Sequence, residues 1–353
     1  MKLIHVADIH LGSGMEAKLP KDKARTRRAE LRNTFARLLD YAKQEGVRAI
    51  LFAGDIFDSD TPNKGDKEYF YKKLRKCEGI DFYYLRGNHD SENSYTEDIP
   101  NLHLFGPEWV SYELEGVVIS GVELGEGNTR SIYSTLSLDQ SKTNLVLLHG
   151  DVKGNGKGKD ALSLKSLLGK GIDYLALGHL HSFEVGTLDE RGTWCYAGCL
   201  EGRGYDECGE KGFVLLDTDT GLTPTFVKFS QREVMEVAVD ASSAQDDVEV
   251  EELVEARLTG QRDNLVRLIL KGEMTYDGEN LEEQLVTRFG HLTYHLSVKD
   301  RRHRLIRPED YEGDLSLRGE FVRLVEGSEL DEETKRQVLN YGLKLLKEGR
   351  LEV

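Results

Sequence analysis

Five short apolar runs punctuate the first half of the chain: LIHVA (3–7), AILFAG (49–54), FYYL (82–85), LVLLH (145–149) and YLALG (174–178). Runs of this length, almost free of polar alternation, predict strands covered on both faces. Between the first two, TRRAELRNTFARLLDYAKQEG repeats Leu31, Phe35, Leu38, Leu39 and Ala42 at helical spacing, and Gly46 closes the segment. ALSLKSLLGKG (161–171) reads as a further helix before a strand. Strand, helix and strand in alternation predict an α/β core whose central strands are mostly parallel. Three stretches alternate as hairpins: 109–124, turning near Glu115-Gly116, 183–198, turning between Glu190 and Gly192, and 211–229. Antiparallel strands added to a parallel set suit a two-sheet sandwich flanked by helices.

The texture changes after Phe229. REVMEVAVD, DDVEVEELVEARL, NLVRLILKG, NLEEQLVTRFG and HLTYHLSV follow one another as β-α-β-α-β, enough for a small two-layer domain. Two helices are expected in the last fifty residues, the second with Val338, Tyr341 and Leu345 on an apolar stripe that could be core or a partner-binding face. The expected organisation is 1–230, 231–300 and 301–353. A chain of 353 residues exceeds what one core of roughly 250–300 residues fills.

Composition narrows the class without settling the partner. At 39% hydrophobic and 31% charged, the chain reads as globular and water-borne. No apolar stretch is long enough to span a bilayer. The opening LIHVADIH lacks a basic leader and long apolar segment, so a cytoplasmic protein is expected. Cys77, Cys195, Cys199 and Cys208 do not form paired C-x-x-C units, which favours reduced thiols over a disulfide framework or a zinc site. The net charge of −16 argues against nucleic acid, yet residues 16–50 hold 10 basic against 5 acidic residues. Bound cations would add positive charge that this count omits.

The chemistry collects at the ends of the five apolar runs. Asp8-Ile9-His10 follows the first, Gly54-Asp55 the second, Gly87-Asn88-His89-Asp90 the third, His149-Gly150 the fourth and Gly178-His179-Leu180-His181 the fifth. Residues just past the carboxyl ends of strands in an α/β sheet gather in one crevice. Asp8, His10, Asp55, Asn88, His149, His179 and His181 would then supply seven oxygen and nitrogen ligands without sulfur. That exceeds what one ion takes while leaving room for substrate, and two metals sharing a carboxylate would use them all. Taken singly, D-x-H or G-N-H-D is an ordinary turn. Five in this order, at equivalent points of five apolar runs, are not explained by turn chemistry.

This set of D-x-H, G-D-x-x-D (Asp55, Asp58), G-N-H-D, H-G and G-H-x-H resembles the calcineurin-like metallophosphoesterases over the first 230 residues. A narrower likeness, carried by MKLIHVADIHLG, GDIFD and CYAGCLEGRGYDECGEKGFVLLD (195–217), is to SbcD-type DNA repair exonucleases, bacterial relatives of the meiotic-recombination-eleven nuclease. The resemblance implies a four-layer α/β/β/α sandwich, a small α+β cap and a helical tail that attaches an SMC-like ATPase of the SbcC type. It implies a homodimer acting on DNA, an exonuclease with endonuclease activity as a further option, with manganese as the favoured metal. It assigns Asp8, His10, Asp55 and His181 to one cation, and Asp55 as bridge with Asn88, His149 and His179 to the other, with a hydroxide held between them. His89 would stabilise the transition state or protonate the departing oxygen, with Asp90 orienting its imidazole. Asp58 stands where archaeal and eukaryotic members carry a histidine, so a phosphate-moving role there is not transferred.

Candidate DNA contacts are Arg25, Arg27 and Arg28 at the start of the first helix and Lys153, Lys157 and Lys159 on a glycine-rich loop, although a solvated basic face explains each as well. DRRHRLIR (300–307) is a weaker third. His5, His103, His291 and His295 read as structural or surface residues. The rival readings are a metallophosphoesterase acting on nucleotides, cyclic nucleotides or phosphoproteins, and a non-catalytic scaffold.

Overall fold

The structure is a computed structural model, and it describes the chain apart from residues 16–18, 92–93, 95–98, 126, 154–159, 275–280, 305 and 349–353. It divides into two compact units, Met1–Val234 and Met235–Val353. Strands β1 (Lys2–Val6), β2 (Ala49–Ala53), β3 (Asp81–Leu85) and β4 (Leu102–Leu104) run parallel to one another. Strands β5 (Val110–Leu114) and β6 (Val117–Gly121) form the first expected hairpin, followed by β7 (Thr143–His149), β8 (Tyr174–Gly178), β9 (Glu184–Thr187) and β10 (Thr193–Tyr196). Strands β11 (Gly212–Asp217) and β12 (Thr225–Lys228) complete the unit. The first sheet has the order β12-β11-β1-β2-β3-β4 and the second β5-β6-β7-β8-β10-β9. Antiparallel hairpins occupy the edges, where they close without a crossover, and β11 also pairs antiparallel with β1 inside the first sheet.

Alternate side chains of each central strand enter different cores, which is why the runs read as continuously apolar. From β1, β2 and β3, Leu3, Ala49, Leu51, Ala53, Tyr83 and Leu85 face the second sheet and meet Ile119, Leu145, Leu147, Tyr174 and Ala176. Their neighbours Ile4, Val6, Ile50, Phe52, Phe82 and Tyr84 face outward onto helices α1 (Lys21–Gln44) and α2 (Lys64–Leu74). On the far side, Val146, Leu148, Leu175 and Leu177 are covered by Ile132 of α3 (Ile132–Thr135), Leu167 of α4 (Leu164–Leu167), and the segments around them. These are the four α/β/β/α layers expected.

Helices α1, α4 and α2 differ from expectation. Helix α1 begins at Lys21, five residues early, because Pro20 precedes it with a fixed φ of −54° and Asp22 lies in its first turn, where the helix dipole favours a carboxylate. The helix expected over 161–171 shrinks to Leu164–Leu167, since Ser163 caps its start and Gly169 and Gly171 turn left-handed after it. Helix α2 was not foreseen, although Asn63 caps it by accepting from the Asp66 amide.

The second unit begins with β13 (Val234–Asp240), then α5 (Asp247–Leu258), β14 (Leu265–Lys271), β15 (Glu273–Met274), α6 (Glu282–Phe289), β16 (His295–Asp300) and β17 (His303–Arg304). Strands β13, β14 and β16 form one sheet, with Val250, Val254, Leu258, Leu285 and Phe289 of its two helices in the shared core. Helices α7 (Leu317–Glu326) and α8 (Glu332–Glu348) pack through Val322, Val325 and Leu339, leaving Tyr341 and Leu345 exposed. Among the described residues, no helix is long and apolar enough to cross a membrane.

Arg27 is not a DNA contact. It is 1% exposed and donates to Glu30 Oε2 at 2.8 Å, Glu201 Oε2 at 3.0 Å and the Gly202 carbonyl at 2.9 Å. A basic run on a helix turns one side chain in three or four toward the core, and two of the buried partners of Arg27, Glu201 and Gly202, lie on a segment that no sequence window joins to it. Replacing Arg27 by Ala leaves buried Glu201 without its counter-ion and Glu30 with Arg232 alone, and breaking such a buried network costs about 3–5 kcal/mol. Urea unfolding of the full chain measures the loss, and a change below ~1 kcal/mol would contradict it.

His5 is wholly buried, shares a 2.8 Å hydrogen bond with the Tyr174 hydroxyl, and is pushed by burial down to about 3. The folded chain therefore keeps this ring neutral while the unfolded chain protonates it near pH 6.5. Stability from His5 is complete above about pH 6.5 and falls as the pH drops toward 3, by at most about 1.4 kcal/mol per pH unit. Between pH 7 and 5, in chelator, wild type should lose about 2 kcal/mol more than His5→Leu. Equal pH slopes for the two proteins would refute this.

Candidate metal centre

The loops that follow the parallel strands are laced together before any side chain is considered. The Asp8 amide donates to the Gly54 carbonyl and the His10 amide to the Asp55 carbonyl, both at 3.0 Å, which joins the ends of β1 and β2. His149 closes β7 beside Gly178 of β8. Its Nδ1 donates 2.9 Å to the Ala53 carbonyl, pinning the second sheet to the first. A carbonyl can only accept, so the proton sits on Nδ1 and Nε2 is left facing the site. The approach is so close that a Cβ at Gly54 would collide with the His149 ring, and one at Gly178 with the Ala53 carbonyl. Only glycine fits those two places.

Four ligand candidates sit in the left-handed region: Asp8 (φ 50°), His10 (51°), Asp55 (52°) and His179 (103°). Residues with side chains rarely adopt such φ values, and each instance costs of order 1–3 kcal/mol. The turns aim their side chains inward. Donor atoms of Asp8, His10 and His181 lie within 4.8 Å of one another, as do those of Asp8, Asp55 and His149. His10 Nε2 and His181 Nε2 are 3.3 Å apart. His149 Nε2 is 3.3 Å from Asp55 Oδ2, and His10 Nε2 is 4.0 Å from the same oxygen. Asn88 Oδ1 stands 3.0 Å from His149 Nε2 and 3.1 Å from His179 Nδ1. All seven expected ligands thus converge, and both carboxylates lie between the two groups of imidazoles.

The electrostatics show what this cage is short of. Burial pushes Asp8 up to about 7 against the pull of His149. Burial also opposes the charge on His149, but Asp55 and Asp8 outweigh it and push the ring up to about 9. Burial works against Asp55 as well, and His149 and His10 nevertheless hold it below the usual carboxylate range. Burial lowers His10, and burial with the neighbouring His149 lowers His179. Carboxylates and imidazoles crowded together out of water, with oxygen and nitrogen atoms converging, match the donor set of hard-to-borderline divalent cations. The residues fit a pair of such ions.

His89 borders the cage with an exposed ring whose centroid is 5.1 Å from that of His10. Its amide donates to Asp55 Oδ1 at 2.9 Å, and its Nδ1 lies 3.3 Å from the Asp58 carbonyl. Asp90 does not orient that imidazole. Its buried carboxylate accepts from the amides of Ile56, Phe57 and Gly87 at 3.0–3.2 Å, because an anion out of water takes the nearest unpaired N–H groups. Asp90 shapes the turn that carries Asp55 and Asn88, and burial pushes it up to about 6.

Three residues around the cage had not been singled out from the sequence. Glu207 Oε1 lies 2.7 Å from His181 Nδ1, Arg203 binds both Glu207 and Asp58, and buried Lys211 donates to the His181 carbonyl at 2.6 Å. The available signal was that these three are among six charged residues inside the glycine- and cysteine-rich stretch 198–212. The four cysteines are free. Among the expected DNA contacts, Arg25 is exposed, Arg28 donates to the Gly14 carbonyl at 2.8 Å and Lys153 pairs with Glu184, while Lys157 and Lys159 lie outside the described residues.

The calcineurin-like phosphoesterase family profile matches residues 1–183. The chain is 28% identical over 298 residues to the "uncharacterized metallophosphoesterase YhaO" of Bacillus subtilis, covering 77% of this chain and 72% of that one. It is 28% identical over 251 residues to the "DNA double-strand break repair protein Mre11" of Sulfurisphaera tokodaii, covering 65% and 62%. Over 115 residues it is 29% identical to a Bacillus subtilis protein named as one of the subunits of the nuclease SbcCD, covering 32% and 28%. With the family match spanning more than half its length and a cage built for divalent cations, the chain belongs to the calcineurin-like phosphoesterase family and is a metal-dependent hydrolase.

Proposed function

We propose that the protein is a two-metal DNA phosphodiesterase of DNA repair, an exonuclease that also cuts internally, with manganese as its working ion. The observation that carries the metal reading is the convergence of seven oxygen and nitrogen donors from five strand ends. The DNA reading is supported by the relatives named as Mre11 and as part of a nuclease. Asp8, His10, Asp55 and His181 would hold one ion, and Asp55, Asn88, His149 and His179 the other. When bound, the ions supply Lewis acidity that lowers the pKa of water and neutralises charge developing on phosphoryl oxygens.

The chain's own groups do the rest. Ala53 keeps the proton of His149 on Nδ1, so that Nε2 stays a donor to the cage. Asp90 and the Gly54 turn fix Asp55 between the two sets of imidazoles. The Asp58 carbonyl favours a proton on Nδ1 of His89, and in its doubly protonated form the ring carries a second proton on Nε2 for the departing sugar oxygen. In this reading residues 1–230 are the catalytic domain, 231–300 the cap and 301–353 the attachment for an SMC-like ATPase of the SbcC type, with the chain a homodimer. One relative is named as belonging to a nuclease of more than one chain, which supports a partnered enzyme. Exposed Arg25 and the half-buried Arg28 at the start of α1 are the described residues on which DNA contact rests.

Chelator-treated protein should release no nucleotides from linear duplex DNA and should recover activity with manganese. Strong hydrolysis of a small aryl phosphodiester with none on DNA would leave the phosphoesterase and remove the substrate proposed. His89→Ala should lower kcat on DNA by about 10²–10⁴ while still taking up two equivalents of metal in equilibrium dialysis. An unchanged kcat would exclude His89 from the reaction.

A further inference from the structure

We propose that Glu207, pinned by Arg203, positions His181 and sets its tautomer, and through it governs the affinity for one of the two cations; this rests on the two-metal reading of the cage. A neutral imidazole carries one ring proton and presents one lone pair, so a histidine ligand is useful only if the proton is kept on the nitrogen facing away. His181 Nε2 faces the cage, 3.3 Å from His10 Nε2 and grouped with Asp8. Its Nδ1 faces out, 2.7 Å from Glu207 Oε1. Glu207 is 5% exposed, so water does not compete for this bond.

The carboxylate is itself held on several sides. Arg203 Nε and one terminal nitrogen reach Oε1 at 2.9 and 2.7 Å, and the Arg203 amide reaches Oε2 at 2.7 Å. That terminal nitrogen also lies 3.2 Å from His181 Nδ1. A donor there would pull the tautomer the wrong way, and the anionic Glu207 offsets it. The other terminal nitrogen of Arg203 donates 2.7 Å to Asp58 Oδ1. Asp58 Oδ1 is in turn 3.2 Å from His10 Nδ1, which meets no well-directed hydrogen bond. One guanidinium therefore ties together carboxylates behind both imidazoles of the same group.

The main chain of His181 is fixed by the same segment, through Lys211 Nζ at 2.6 Å and the Cys199 amide at 3.4 Å on its carbonyl. With all three side-chain nitrogens of Arg203 placed on Glu207 and Asp58, the geometry favours a positioning role over binding substrate phosphate.

The test is calorimetric titration of the chelator-stripped full chain with Co²⁺ alone, followed by the visible absorption of the loaded protein. Wild type should take up two ions. Glu207→Ala should weaken one of them about 10- to 100-fold, the usual effect of removing such a partner, and leave the other within about twofold. Glu207→Gln keeps an acceptor for the Nδ1 proton and should lose less, with its absorption spectrum close to wild type. Arg203→Ala should weaken the same ion by a smaller factor. If Glu207→Ala gives no cooperative thermal transition, the other two variants decide: one weakened ion supports the proposal, and unchanged affinities overturn it. Equal weakening of both ions, or a Gln variant as impaired as Ala, also overturns it. A wild-type chain that binds no Co²⁺ would instead remove the two-metal reading beneath it.

Discussion

Asp8 and Asp55 are held out of water within reach of each other, and the rest of the centre answers that one constraint. Two buried carboxylates repel, and burial penalises each charge separately. The protein meets the conflict by surrounding them with imidazoles, one of which, His149, is drawn toward its charged form. Divalent cations resolve it more completely, because they supply positive charge without a proton. The same pair also explains the local backbone. Both residues occupy left-handed turns, and the turns are tolerated because cross-loop amide bonds over-determine them.

Much of this was legible because the physics is local. A strand buried on two faces must be apolar at every position, and Ile50 and Leu51 enter different cores, as do Phe82 and Tyr83. The candidate ligands were legible for a related reason. They stand at the ends of those runs or just after them, so finding the strands finds the candidates.

What sequence could not convey was long-range partnership. Nothing in TRRAELR distinguishes Arg27 from Arg28, yet one lies under Glu201, 174 residues away, and the other at the surface beside Gly14. Asp90 follows His89 directly, but adjacency in the chain is not adjacency of side chains, and its carboxylate found backbone amides of the β2 loop. Glu207 and Arg203 were in view in a stretch noted for its resemblance, without any pattern that tied them to His181. Helix α4 fell short of its expected length because Ser163 starts it late and Gly169 and Gly171 turn the backbone left-handed just after it.

The left-handed corners carry an evolutionary cost. Glycine would relax the backbone at Asp8, His10, Asp55 and His179, and selection for durability alone would drift toward it. Keeping side chains there means the fold operates below the robustness its architecture could reach. The surplus from the apolar cores on either side of its two large sheets is what lets that deficit persist.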